Sequence, residues 1–176
     1  MNRIAELPIG QATEWSARDR TFTVECELKL HLVNGALSYE PVAVAPYEKT
    51  YPSWQRLSAE GVSFAVYLGD RVVAEIAVSK GWNGYAHIEN LIVAQESRRQ
   101  GVARALVERA VAWAESQLLP GIMLETQSNN VSACKLYESC GFQLRGFDSG
   151  LYRGLNPHSE EVALFWYRQT PEQPVP

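Results

Sequence analysis

The 176 residues carry a formal net charge of −4, with 46% apolar and 20% charged side chains, the profile of one ordinary globular domain. No basic stripe or lysine cluster is present, which argues against a nucleic-acid partner, and no apolar run approaches the ~20 residues needed to span a bilayer. Three cysteines do not suggest a disulfide framework, and MNRIAELPIG lacks the apolar core of a secretory signal, so a cytoplasmic location without membrane association is expected.

Residues 1–20 show no clear period and read as loop or short helix. From Phe22, the residues Val24, Cys26, Leu28, Leu30 and Leu32 alternate with polar neighbours, the signature of a half-buried strand. Asn34-Gly35 suits a tight hairpin turn, and Ala36–Ala45 returns as the partner strand. Pro46–Gly61 reads as loop or short helix, with Tyr47, Tyr51 and Trp54 as an aromatic set. Val62–Leu68 and Arg71–Ser79 form a second hairpin around Gly69-Asp70, and Gly81-Trp82-Asn83-Gly84 is a further turn.

Tyr85–Ala103 (YAHIENLIVAQESRRQGVA) is the organising stretch. Ile88–Val93 is apolar enough for a central strand, Gln95–Gln100 is a polar, basic turn, and Gly101 opens a helical pattern. Ala103, Leu106, Val107, Ala110 and Ala114 fall on one helical face, opposite Arg104, Glu108 and Glu115. A strand, a basic loop and a helix opening on glycine make an anion site, because the first backbone N–H groups of a helix are unpaired and its dipole is positive there. The loop is expected to hold a pyrophosphate and the strand the chemistry. The stretch fits neither a dinucleotide fingerprint nor a P-loop, which needs Gly-Lys-Ser/Thr.

Pro120-Gly121 is expected to stop the helix. Ile122–Thr126 then reads as a strand parallel to the central one across a right-handed crossover. Gln127–Asn130 is a capping turn, Val131–Ser139 a second helix ended by Gly141, and Phe142–Phe147 and Val162–Tyr167 the last strands. Residues 1–170 are expected to form a single domain, with 171–176 a frayed tail. The fold class is α+β with a mixed sheet.

The order R-x-x-G-x-A (Arg98, Gly101, Ala103) followed by N-x-x-A-x-x-L-Y-x-x-x-G-F (Asn130, Ala133, Leu136, Tyr137, Gly141, Phe142) resembles the GCN5-related N-acetyltransferase superfamily over roughly Val62–Tyr167. Further segments are similar to the streptothricin (nourseothricin) acetyltransferases within it: Pro46-Tyr47 with Lys49 and Tyr51, Trp82-Asn83, Ile88-Glu89, Leu124-Glu125-Thr126-Gln127, Gly146 with Asp148, Leu151 and Tyr152, and Phe165-Trp166-Tyr167. One departure is that Pro52–Gly61 is short and nearly neutral, where several such enzymes carry an acidic insert.

The resemblance implies antiparallel N-terminal strands, a central parallel pair splayed around acetyl-CoA, and flanking helices. It implies that the pyrophosphate lies on Arg98, Arg99, Gln100, Gly101, Val102 and Ala103. The pantetheine arm would pair with the main chain of Leu91, Ile92 and Val93, where an N–H polarises the thioester carbonyl, and with Asn130 and Ala133. An acceptor amine titrates near ~10, so about one part in a thousand is neutral at pH 7 and a positioned base helps. Glu89 is the first candidate base and His87 the second, expected on the same strand face. Tyr137 matches the acid that protonates the CoA thiolate, since a phenol stays protonated at neutral pH.

Each assignment stands beside a plainer one. Glu89 would simply bind the substrate ammonium, His87 would be a surface strand residue, Tyr137 core packing, and Asn130 a helix cap. Trp82, Asp148 and Tyr152 are candidate contacts to a small cationic amine, Trp54 and Trp166 belong to the same aromatic group, and core packing competes for at least half of those aromatics. Cys134 and Cys140 read as packing residues, and His31, His87 and His158 have no ligand spacing, so no metal is expected. The competing functions are acetylation of a peptide or protein amine and a non-catalytic acyl-CoA sensor. A homodimer is common in such families, but no interface is legible in the sequence.

Overall fold

The structure is a computed structural model that describes residues 3–7, 13–54 and 61–170. The tail expected over 171–176 lies outside the described residues. The fold is α+β with a mixed sheet, and the chain forms two compact units.

The first unit comprises the described residues of Met1–Thr21, Thr50–Met123 and Gln169–Pro176. It is built on four strands in the order β1 (Arg3–Glu6), β4 (Val62–Leu68), β5 (Arg71–Lys80) and β6 (Ala86–Val93), all antiparallel to their neighbours. The edge strand β1 falls in the region expected to be loop or helix. Its four residues, half of them charged, carry no alternation, and it becomes a strand by pairing Ile4 with Val66 and Ala5 with Ala65.

After β6, the chain turns through Gln95–Ser97 into α1 (Val102–Ser116) and returns as β7 (Gly121–Gln127), whose first three residues belong to this unit. β7 lies beside β6 and runs parallel to it, as a helical crossover between adjacent strands requires. α1 buries Val102, Leu106, Val107, Ala110, Val111 and Ala114, so Val102, not Ala103, begins the apolar face. The Arg109 guanidinium lies 4.1 Å from the centre of the Phe64 ring on β4, which fixes the sheet face that α1 covers. The helix ends before Pro120: Leu118 takes a left-handed conformation (φ 54°) and the Leu119 amide donates to Ala114 at 3.1 Å, a Schellman closure.

The second unit, Phe22–Lys49 and Leu124–Arg168, holds the hairpin of β2 (Thr21–Val33) and β3 (Ala36–Thr50). Asn34 and Gly35 both have positive φ (52° and 78°), as a two-residue hairpin turn needs. β3 runs through Pro46–Thr50, where a loop was expected. Either strand of a two-stranded ribbon is an edge, so a proline without an N–H is tolerated there.

The rest of β7 pairs onward with β9 (Ala163–Gln169), which pairs with β8 (Gln143–Asp148). α2 (Val131–Ser139) matches its expected range. Val24, Leu28, Leu124, Cys134, Phe142, Leu164 and Trp166 are buried in this unit. Among the described residues, no helix is long and apolar enough to cross a membrane.

Candidate active site

β6 is interrupted where the chemistry is expected. Val78 on β5 faces Ile88 and Ala77 faces Asn90, so Glu89 is the extra residue of a β-bulge. A bulge re-aims one side chain and breaks the ladder locally, and bulges are over-represented next to active sites. Opposed residues of a sheet share a face. Ser79 with His87, Ala77 with Asn90 and Glu75 with Ile92 therefore lie opposite the α1 face, which Phe64, Ile76 and Leu91 share. The regular alternation that would put His87 and Glu89 together stops at the bulge, yet the two remain electrostatically coupled. Burial pushes the His87 imidazole below its ordinary pKa of 6.5, and the Glu89 carboxylate partly offsets this.

The loop after β6 is built to receive an anion. Arg99 (φ 62°) and Gly101 (φ 79°) are both left-handed. A Cβ at Gly101 would meet no atom within 4 Å, so glycine is favoured there by backbone conformation rather than by space. Gly101 supplies no side-chain cap and the first turn of α1 holds no acidic residue, so the helix N-terminus is open to a phosphate.

Arg98, expected at the phosphates, also has a bonding role within the protein. Its guanidinium donates to the main-chain carbonyls of Val93 (3.3 Å), Thr21 (2.9 Å) and Asp19, clamping the loop to the N-terminal segment. The Asp19 carboxylate accepts from the Gln95 backbone amide at 3.0 Å, and the Gln100 side-chain amide donates to the Glu96 carbonyl at 2.8 Å. Arg99 is exposed on this rigid turn. These residues fit a pyrophosphate held by backbone N–H groups with Arg99 beside it. A cavity of about 570 Å³ in the same unit is lined by Trp15, Arg18, Val72, Ala94 and other residues, and none of the expected catalytic residues borders it.

In the second unit, α2 carries the other motif. The Asn130 side chain caps the helix, accepting from the Ala133 amide at 3.2 Å. At the far end Gly141 is left-handed (φ 82°), the Phe142 amide donates to the Tyr137 carbonyl at 3.0 Å, and the two rings meet edge to face at 5.7 Å. The L-Y-x-x-x-G-F pattern is thus a Schellman closure that locks Tyr137 in place. Cys134 is buried and its thiol is pushed up to about 12, which makes it inert as a nucleophile.

The candidate substrate contacts divide. Trp82 is fully exposed, on a turn held by the Asn83 side chain, which accepts from the Tyr85 amide at 3.2 Å. Trp54 is half-buried, while Trp166 is buried and meets Tyr39 edge-on at 5.7 Å, as core packing requires. Asp148 accepts from the amides of Gly150 (2.7 Å) and Leu151 (3.1 Å), ordering the short 3₁₀ helix Leu151–Gly154 that presents Tyr152.

The Tyr152 hydroxyl donates to Glu125, whose pKa is raised mainly by burial. The Lys49 ammonium, 2.6 Å from the Glu161 carboxylate, opposes that shift. In the sequence, Glu125 stands out only as part of the Leu124-Glu125-Thr126-Gln127 segment. The alternation of β7, with Ile122, Leu124 and Thr126 buried and Met123, Glu125 and Gln127 half-exposed, was the available signal. Glu75, an acid inside the apolar strand β5, carries no such signal.

Residues 30–142 match the family model described as Acetyltransferase (GNAT) family. The chain is 36% identical over 165 residues to a streptothricin acetyltransferase of Escherichia coli, covering 94% of each protein. It is 37% identical over 140 residues to streptothricin acetyltransferase A of Bacillus subtilis (strain 168), covering 76% of this chain and 80% of the other. A crystal structure from Bacillus anthracis str. Ames, solved in complex with acetyl coenzyme A, superposes with a TM-score of 0.87 at 38% identity, covering 97% of this chain and all of that one. The chain belongs to the GNAT acetyltransferase family, and acetyl-CoA is its acetyl donor.

Proposed function

We propose that this acetyltransferase N-acetylates a streptothricin-class polycation. The similarity to streptothricin acetyltransferases along nearly the whole chain carries this reading. Two features of the chain agree with it: an uncapped helix N-terminus suited to a pyrophosphate, and a bulged central strand bearing Glu89 and His87. When bound, acetyl-CoA supplies an activated acetyl group.

The chain's residues then have separate duties. Backbone N–H groups from Arg99 to Ala103 hold the pyrophosphate, and Arg98 keeps their loop rigid. The main chain of Leu91, Ile92 and Val93 aligns the pantetheine arm, with Asn130 and Ala133 lining it, and a strand N–H polarises the thioester carbonyl. Glu89 accepts the proton of the acceptor ammonium, with His87 as the second base, and Tyr137 donates a proton to the departing sulfur. Trp82, Asp148 and Tyr152 contribute to the acceptor side, the first by its exposed π face. The reaction takes place in the cytoplasm. Mass spectrometry of streptothricin incubated with the protein and acetyl-CoA tests the reading: a gain of one acetyl group is expected, and no gain overturns the substrate.

A further inference from the structure

Glu75 is only 7% exposed, yet the sole hydrogen-bond donor to its carboxyl among the described residues is the Trp15 indole N–H, at 3.3 Å. That distance is beyond the usual 2.7–3.2 Å range for N–H···O. A carboxyl group has about four acceptor positions, so one long indole bond leaves acceptor capacity on Glu75 for a bound cation. Glu75 opposes Ile92 on β6 and lies on the same face as His87 and Asn90, away from α1. Ile92 is three residues beyond Glu89, so Glu75 sits about 10 Å along the strand from the bulge. Trp15 is half-buried on a segment, residues 13–16, without regular secondary structure. Its indole can therefore move aside at little cost to the sheet.

We infer that Glu75 is a specificity-determining residue that receives a second, non-reacting ammonium or guanidinium group of the acceptor. The cation replaces the indole N–H as the donor to the Glu75 carboxyl. This inference rests on the polycationic-acceptor reading above and narrows it: the enzyme prefers acceptors with a second cationic group over monoamines.

The test compares wild type with Glu75→Gln, a variant of the same shape that still accepts from Trp15. With streptothricin, the variant should raise KM at least about tenfold while leaving kcat and the KM for acetyl-CoA nearly unchanged, as loss of one buried charge partner predicts. With a simple monoamine, the two proteins should show the same kcat/KM. The melting temperature of the ligand-free variant should be unchanged or higher. An unchanged KM for streptothricin overturns the inference while leaving the function standing, and so does a lower melting temperature with parallel losses for both acceptors, which marks Glu75 as a structural residue. Wild type that acetylates no streptothricin overturns the function and this inference together.

Discussion

The His87 imidazole on β6 is buried far enough that the nearby Glu89 carboxylate does not restore its ordinary basicity. Burial favours the neutral ring, while the carboxylate favours the charged one, and burial prevails. The folded protein therefore binds this proton less readily than the unfolded chain, whose imidazole titrates near 6.5. The stability contributed by neutral His87 is complete above that pH and declines as the pH falls through 6.5 towards the folded-state value, below which the slope ends. Urea denaturation between pH 7.5 and 5, a window on the order of one unit either side of that pKa, should show wild type losing more stability than His87→Gln. Parallel curves for the two proteins would refute the assignment.

Glu89 stands at the bulge, and its expected work is removal of the acceptor proton. Glu89→Gln should lower kcat/KM by about 10²–10⁴-fold near neutral pH, with the deficit narrowing as rising pH supplies neutral amine directly. Acetyl-CoA affinity should hardly change. A loss that is the same at every pH would make Glu89 an ammonium-binding group, and an unimpaired variant would transfer the role of base to His87.

Where local pattern decided structure, the sequence was readable. The alternation from Val24 to Leu32, the Asn34-Gly35 turn, and α2 with its Asn130 cap and Gly141 stop all rest on interactions within a few residues. The unread features depend on distant partners. β1 is a strand only because β4 accepts it, and the Glu89 bulge exists only in register with β5. Arg98, in a basic loop, suggested a phosphate contact because its acceptors, Thr21 and Asp19, are nearly eighty residues away in sequence. Glu75 was invisible for a related reason: its isolation inside a sheet emerges only when its neighbours across β4 and β6 are known.

The Arg98 clamp separates two roles that sequence alone merges. Arg98→Lys keeps the charge but loses the planar fork that serves three carbonyls. It should lower stability by about 1–3 kcal/mol, the cost of leaving part-buried acceptors unpaired, with a fall in melting temperature. The KM for acetyl-CoA should rise as the loop loosens. A variant of unchanged stability with a weakened affinity for CoA would instead make Arg98 a direct phosphate ligand.

Tyr137 is locked by the Phe142 amide on its carbonyl and by the Phe142 ring against its own. Replacing its hydroxyl therefore changes chemistry more than packing. Tyr137→Phe should fold as wild type and bind acetyl-CoA with the same affinity in calorimetry. Its kcat should fall by about 10²-fold or more, because the departing thiolate no longer receives a proton from a positioned acid. The rate of CoA release in a single turnover with saturating amine should fall in proportion to kcat. An equal loss of acetyl-CoA affinity would reduce Tyr137 to a packing residue and leave proton delivery to solvent.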